Sequence, residues 1–258
     1  VTHNAMSNNL QRLHSEGGQS PWLDNLKRSY ITSGHMRKVI DSGIRGLTSN
    51  PSIFQKAIQG STDYDIQFAE LAHTGKTAVE SYWEMVIQDI RDALDLFHPI
   101  YLSSDRQDGY VSVEVDPMLA HDTEGTSRAA RQLDHNVDRP NVMIKIPATV
   151  EGIPVIRGMI SEGRNVNVTL IFSLERYADV IEAYISGMEA LAKSDPSRLS
   201  YVASVASFFI SRVDVEVDKR LAALGTPEAD LLLGTCAIAQ AKLAYKLFTT
   251  SFTSPRWD

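Results

Sequence analysis

Lys145 stands in the run Asn-Val-Met-Ile-Lys-Ile-Pro, residues 141–147, where its neighbours from Val142 to Ala148 are all apolar. Val142, Ile144 and Ile146 mark one face of a strand, and Met143 and Lys145 the other. In water a lysine amine has a pKa of ~10.4 and is an ammonium, not a nucleophile. Burial disfavours the charge and frees the lone pair, so a lysine in an apolar strand is poised to attack a carbonyl and form a Schiff base. A structural lysine paired with Glu114 or Asp116, or snorkelling to a rim, fits the same spacing. Both readings stand at this point.

Schiff-base chemistry asks for more than an amine. Imine formation expels water, and cleavage of the adjacent carbon–carbon bond needs a base at the neighbouring hydroxyl. Glu114 and Thr169 lie on the strand candidates that flank Lys145 in sequence and could hold and activate a water. A second carboxylate would serve the hydroxyl, and Asp24 in Trp-Leu-Asp-Asn-Leu ends the first short strand.

The elements that must position these groups follow from periodicity. Four strand-length runs stand out, at 110–117, 141–147, 165–173 and 199–209, preceded by shorter candidates at 21–26 and 43–49. Between them, Trp83, Val86, Ile87, Ile90, Leu94 and Phe97 recur at helical spacing, as do Tyr177, Val180, Ile181, Tyr184, Ile185, Met188 and Leu191. Thr226-Pro227-Glu228 carries an N-cap, a proline and an early acid, and is expected to begin the last helix. The alternation of strand and helix argues for parallel strands joined by crossover helices. No repeat or linker divides the chain, so 1–258 reads as a single domain, with 1–20 as a leading helix and connector.

Parallel strands are normally apolar on both faces. Here Ser112, Glu114 and Asp116 share one face, Lys145 sits on one face of the next run, and Asn165, Asn167 and Thr169 share a face of the third. An antiparallel sheet wetted on one side would explain this, but its neighbours need only short turns. The other explanation is a (β/α) barrel, with side chains inside and chemistry at the C-terminal rim.

Composition removes several classes of function. The net charge is −7, which offers no basic field to nucleic acid or to an anionic membrane surface. No run approaches the ~20 apolar residues of a spanning helix, and the first residues lack the pattern of a signal peptide. The single cysteine, Cys236, excludes an internal disulfide, fits a reducing cytoplasm and reads as a buried thiol. The seven histidines show no ligand spacing, so no metal or cofactor is implied. Residues 73–77, His-Thr-Gly-Lys-Thr, lack the first glycine of a phosphate-binding loop.

Six ordered motifs then resemble the transaldolase family of class I aldolases, in its longer bacterial branch: WLDNLKR, GLTSNPSIFQKAI, VSVEVDP, RPNVMIKIPAT, NVNVTLIFS and SVASFFISRVD. The resemblance implies a (β/α)8 TIM barrel of the α/β class. It also implies transfer of a dihydroxyacetone unit from sedoheptulose 7-phosphate or fructose 6-phosphate to glyceraldehyde 3-phosphate or erythrose 4-phosphate, in the non-oxidative pentose phosphate pathway. Lys145 falls on its Schiff-base lysine, Asp24 on its proton-exchanging aspartate, and Glu114 and Thr169 on the pair that holds the catalytic water. Asn50 and Asn167 fall on asparagines that bind substrate hydroxyls, though Asn50 also reads as a helix N-cap ahead of Pro51. Ser207 and Arg212 fall on a serine and an arginine that line the substrate and phosphate end. An arginine fork suits a phosphate, although Arg212 alone would read as a surface helix residue.

Family members continue past Phe-Thr-Ser-Pro-Arg-Trp-Asp with a strand like RPLWAST and a final βα unit, so the last two strand units are expected to be missing here. The resemblance further implies sugar phosphate partners, a cytoplasmic location, and oligomerisation or fusion to phosphoglucose isomerase. The alternatives are fructose-6-phosphate aldolase activity, releasing dihydroxyacetone without an acceptor, and an inactive truncated barrel.

Overall fold

The computed structural model describes residues 8–257, and its contacts fall into two compact units. The first unit is Val1–Pro117 with Arg128–Ile144, and the second is Met118–Ser127 with Lys145–Asp258. The first holds α1 (Asn9–Ser15), β1 (Trp22–Asp24), α2 (Arg28–Thr32), α3 (His35–Asp41), β2 (Gly46–Thr48), α4 (Pro51–Gln59), α5 (Asp65–His73), α6 (Ala78–Ser103) and β3 (Val111–Glu114). Helix α7 (Thr123–Val137) and strand β4 (Val142–Pro147) belong partly to each. The second also holds α8 (Gly152–Ser161), β5 (Val166–Ile171), α9 (Leu174–Ser194), β6 (Ser204–Phe208), α10 (Ser211–Leu224), α11 (Pro227–Asp230) and α12 (Cys236–Ser251). Six strands with intervening helices make an α/β fold.

In the first unit the strand order is β1-β2-β3-β4. β1 and β2 run parallel with Asp24 opposite Thr48, and β2 and β3 run parallel with Leu47 opposite Val111. The Trp22 indole lies over Gly46, where an added Cβ would come within 2.3 Å of the ring, so the position requires glycine. Helix α6 starts on a capping box in which Thr77 and Glu80 satisfy each other's backbone N–H. It buries Met85, Val86, Ile90, Leu94 and Phe97 along one stripe, and full burial of each such side chain contributes about 1.5–3 kcal/mol. Asn141 holds α6 to the strands, its amide donating to the carbonyls of Leu94 (3.1 Å) and Gly109 (2.8 Å).

In the second unit the order is β4-β5-β6, with β5 and β6 parallel. Helix α9 buries Tyr177, Val180, Ile181, Ile185 and Leu191, as its spacing predicts. It crosses α8 at Gly187, where a Cβ would sit 2.9 Å from Ile160 and from the Arg157 carbonyl. Arg256 ties the end of the chain to α9 through Glu182 and Glu189, at 2.6 and 2.7 Å.

Parallel pairing and burial remove the wetted-sheet alternative. All six residues of β4 are buried, and so are Ser112, Asn165, Asn167 and Thr169. Three details differ from expectation. The run from Leu199 becomes strand only at Ser204, because Pro196–Tyr201 winds into a 3₁₀ segment started by the Ser197 hydroxyl bonding Asp195 (2.6 Å). Thr226 caps a helix of only four residues. The chain then turns at Gly234, in the left-handed region at φ +69° with its N–H held by the Asp218 carboxylate, before α12 begins. Cys236 is exposed, not buried, because α12 turns Ala237 and Ala244 inward instead. Among the described residues no helix is long and apolar enough to cross a membrane.

Candidate active site

The second unit carries the lysine. Lys145 lies in β4 and is only 7% exposed, so its ammonium end does not reach out into bulk water. On β5, Asn167 and Thr169 share a face and are each 1% exposed. The Ser207 hydroxyl of β6 donates to Asn167 Oδ1 at 2.9 Å, which fixes the amide and leaves its NH₂ directed elsewhere. β4 leads into β5 through the Ala148 N–H, which donates to the Thr169 carbonyl (2.8 Å). The loop beyond β4 is rigid for a local reason. Thr149 Oγ1 donates to the Ala120 carbonyl (2.7 Å) and accepts from the Gly152 N–H (3.0 Å). Gly152 itself packs on the Pro147 carbonyl, where a Cβ would come within 2.1 Å.

Arg212 sits in the first turn of α10, exposed, with its guanidinium 4.6 Å from the centre of the Phe209 ring. Phe209 in turn packs against Phe172 at 5.0 Å. The arginine is therefore held by an aromatic face and not by a carboxylate, which keeps its donors available to an anion.

The first unit carries the carboxylates at the C-terminal ends of its strands. Asp24 is the exposed last residue of β1, and Glu114 is the half-buried last residue of β3. Asn50 caps α4, its Oδ1 accepting the Ile53 N–H at 3.0 Å, so the local reading of this residue holds. Ser49 beside it is fully buried and donates to the Ser112 carbonyl at 2.7 Å, pinning the β2 exit to β3.

The structure thus brings Asn167 and Ser207 into direct contact, and places Asp24 and Asn50 at the exits of the paired strands β1 and β2. Arg212 it joins to an aromatic ring. Sequence reasoning missed two contributors. Ser49 gave no periodic signal of its own, and Asn165 read as one more residue of the polar face. Its Oδ1 instead accepts the Ala203 N–H at 2.9 Å, a structural bond that starts the β5–β6 ladder.

A buried lysine in β4, next to a strand that buries Asn167 and Thr169 in an α/β fold, makes a candidate lysine-centred site. The profile of the transaldolase/fructose-6-phosphate aldolase family matches residues 21–254, and the chain belongs to that family. Transaldolase 2 of Streptomyces avermitilis is 50% identical over 253 residues, which are 98% of this chain and 68% of that protein. Transaldolase 1 of the same organism is 51% identical over 250 residues, 96% and 66% of the two chains. A transaldolase of an Arthrobacter species is 50% identical over 244 residues, 94% and 66%. The chain therefore spans about two thirds of the length of these relatives. Their names support a transferase of the transaldolase type over a simple aldolase.

Proposed function

We propose that this chain transfers a dihydroxyacetone unit from a ketose phosphate, sedoheptulose 7-phosphate or fructose 6-phosphate, to glyceraldehyde 3-phosphate or erythrose 4-phosphate. Lys145 Nζ attacks the ketose carbonyl, and loss of water gives the iminium. Glu114 and Thr169 hold the water that leaves here and returns at hydrolysis. Asp24 takes the proton from the hydroxyl next to the bond that breaks, the aldose phosphate departs, and the three-carbon unit stays on Lys145 as an enamine. The acceptor aldehyde then adds to the enamine carbon, and Asp24 returns the proton to the new hydroxyl. Asn167, with its oxygen engaged by Ser207, offers its NH₂ to a substrate hydroxyl, and Asn50 offers its amide in the same way. Arg212 meets the phosphate.

The observation that carries this reading is the burial of Lys145 in β4 beside a strand whose polar face is buried and neutral. The finer reading of the fold is a barrel of the (β/α)8 family, to which residues 1–258 contribute the six strands described. The finer reading of the location is cytoplasmic.

Borohydride reduction in the presence of fructose 6-phosphate is expected to add a three-carbon or six-carbon unit to Lys145, located by peptide mass. Lys145→Ala abolishes the adduct. An adduct on another lysine, or one that persists in Lys145→Ala, overturns the mechanism. Glyceraldehyde 3-phosphate should accumulate only when erythrose 4-phosphate is added, and accumulation without it would mark an aldolase instead.

A further inference from the structure

Leu170 has φ +60°, inside β5, in a region that non-glycine residues enter at a cost of about 1–2 kcal/mol. The pairing with β6 shows why. Val168 opposes Ala206 and Ile171 opposes Phe208, so β5 advances three residues while β6 advances two. The extra residue is a β-bulge, and Thr169 and Leu170 together stand opposite Ser207. The bulge is bonded on both sides. The Thr169 carbonyl accepts the Ala148 N–H (2.8 Å), and the Ile171 carbonyl accepts the Phe209 N–H (3.0 Å).

An unbroken strand would continue the polar face from Asn167 and Thr169 to residue 171, at the mouth of the site. The inserted residue cancels that phase. Ile171 is fully buried with Val168, and the polar face ends on Thr169, beside the Asn167–Ser207 pair. Leucine is a poor choice for a left-handed position, so the conformation is imposed by its surroundings and not by the residue.

We propose that Leu170 is a positioning residue, whose left-handed backbone sets the direction of the Thr169 side chain opposite Ser207. This rests on the proposed role of Thr169 in handling water at the imine. Imine formation joins the amine to the carbonyl carbon and releases the carbonyl oxygen as water, and its reversal exchanges that oxygen with solvent. The rate of ¹⁸O loss from the labelled ketose carbonyl therefore reads the step directly, apart from carbon–carbon cleavage.

The test is a series at this position, ordered by tolerance of the left-handed region: Leu170→Gly, Leu170→Asn, Leu170→Ala and Leu170→Val. Glycine and asparagine adopt φ near +60° readily, alanine poorly, and a β-branched valine worst. Oxygen exchange is expected to stay within about twofold of wild type in Leu170→Gly and Leu170→Asn, and to fall about tenfold or more in Leu170→Val, with KM changed little. Leu170→Gly should also not lower the melting temperature, since it removes the strain. If exchange follows side-chain size instead, with Leu170→Gly the worst and Leu170→Val near wild type, Leu170 serves only packing and the proposal fails. Thr169→Val, measured in parallel, separates the two failures. Unchanged exchange in Thr169→Val overturns the reading of the site, whereas slowed exchange there with a normal Leu170→Val overturns only the bulge. If Leu170→Val does not fold, the ranking of the glycine, asparagine and alanine variants decides the matter.

Discussion

Two buried carboxylates of the first unit, Asp89 and Asp108, are each closed on an arginine, while the buried polar side chains of β5 in the second unit, Asn165, Asn167 and Thr169, are neutral. In the first, Arg28 meets the fully buried Asp89 at 2.7 Å, and the Tyr64 hydroxyl donates to the other carboxylate oxygen at 2.7 Å. The Arg28 N–H donates to Tyr64 Oη (3.1 Å), and its guanidinium lies 4.3 Å from the centre of the Tyr64 ring. Burial pushes the Asp89 carboxyl up, against the pull of Tyr64 and Arg28, and burial and Asp89 push the Tyr64 phenol far up. Asp108 receives Arg45 at 2.6 Å and the Ser20 hydroxyl in the same manner. In the second unit the bonds are neutral: Asn165 Oδ1 accepts the Ala203 N–H, the Ser204 hydroxyl donates to the Val166 carbonyl, and the Ser207 hydroxyl donates to Asn167 Oδ1. Charges satisfied within a closed cluster hold elements in place. Neutral hydrogen bonds hold less, each contributing about 1 kcal/mol.

That difference makes opposite demands on stability and activity. The largest expected effect is in the charged cluster. Asp89→Ala strands the Arg28 guanidinium, which is only 15% exposed, and should cost about 3–5 kcal/mol in urea unfolding. The paired replacement Arg28→Met with Asp89→Leu should recover most of the loss, because no buried charge then lacks a partner. Loss of less than about 1 kcal/mol in the single variant would put Asp89 among the neutral-type contacts and erase the contrast.

Asn167→Ala inverts the pattern. Loss of its neutral bond to Ser207 is expected to cost about 1 kcal/mol of stability. Steady-state turnover should nevertheless fall about tenfold or more, the rate equivalent of one substrate hydrogen bond lost in the transition state. The comparison fails if stability falls as far as in Asp89→Ala, or if turnover is unchanged.

Which parts of this were legible in the sequence follows from the range of the interactions. Strand cores and the α6 and α9 stripes depend on spacings of two to four residues, so Val111, Ile144, Val166 and Phe97 could be placed on faces directly. Lys145 stood out because its neighbours are apolar, and its burial agrees with that pattern. Asp89 did not stand out. It is one acid among several on α6, and its partners Arg28 and Tyr64 lie far away in the chain, where only the tertiary fold brings them. Leu170 was invisible for a different reason. Leucine carries no signature of a left-handed conformation, and the bulge comes from a mismatch between two strands. The break at Gly234 was within reach, since a glycine after three leucines offers a stop as readily as a continuation.

The smallest expected effect concerns surface charge, where both units share one sign that opposes Asp89. The Glu80 carboxyl is held below the usual range, first by the Thr77 backbone N–H and then by the Thr77 hydroxyl, while Arg256 does the same for Glu182 and Glu189. A carboxyl depressed in the folded state contributes stability that is complete above its unfolded value, 4.5, and lost as pH falls through the folded value. Asp89, raised, behaves oppositely and loses its contribution as pH rises through its folded value. The urea midpoint should therefore decline below about pH 5, through the depressed glutamates and in spite of Asp89. Glu80→Gln keeps the capping box, because a glutamine oxygen accepts the same backbone N–H, but it removes one titration. Its acid limb should be measurably shallower than wild type, with the midpoint at pH 7 nearly unchanged. Arg256→Met should flatten the same limb through Glu182 and Glu189 in the second unit. An unchanged slope in both variants would show that the acid sensitivity lies in the buried clusters after all, and that the contrast between the units extends to their surfaces.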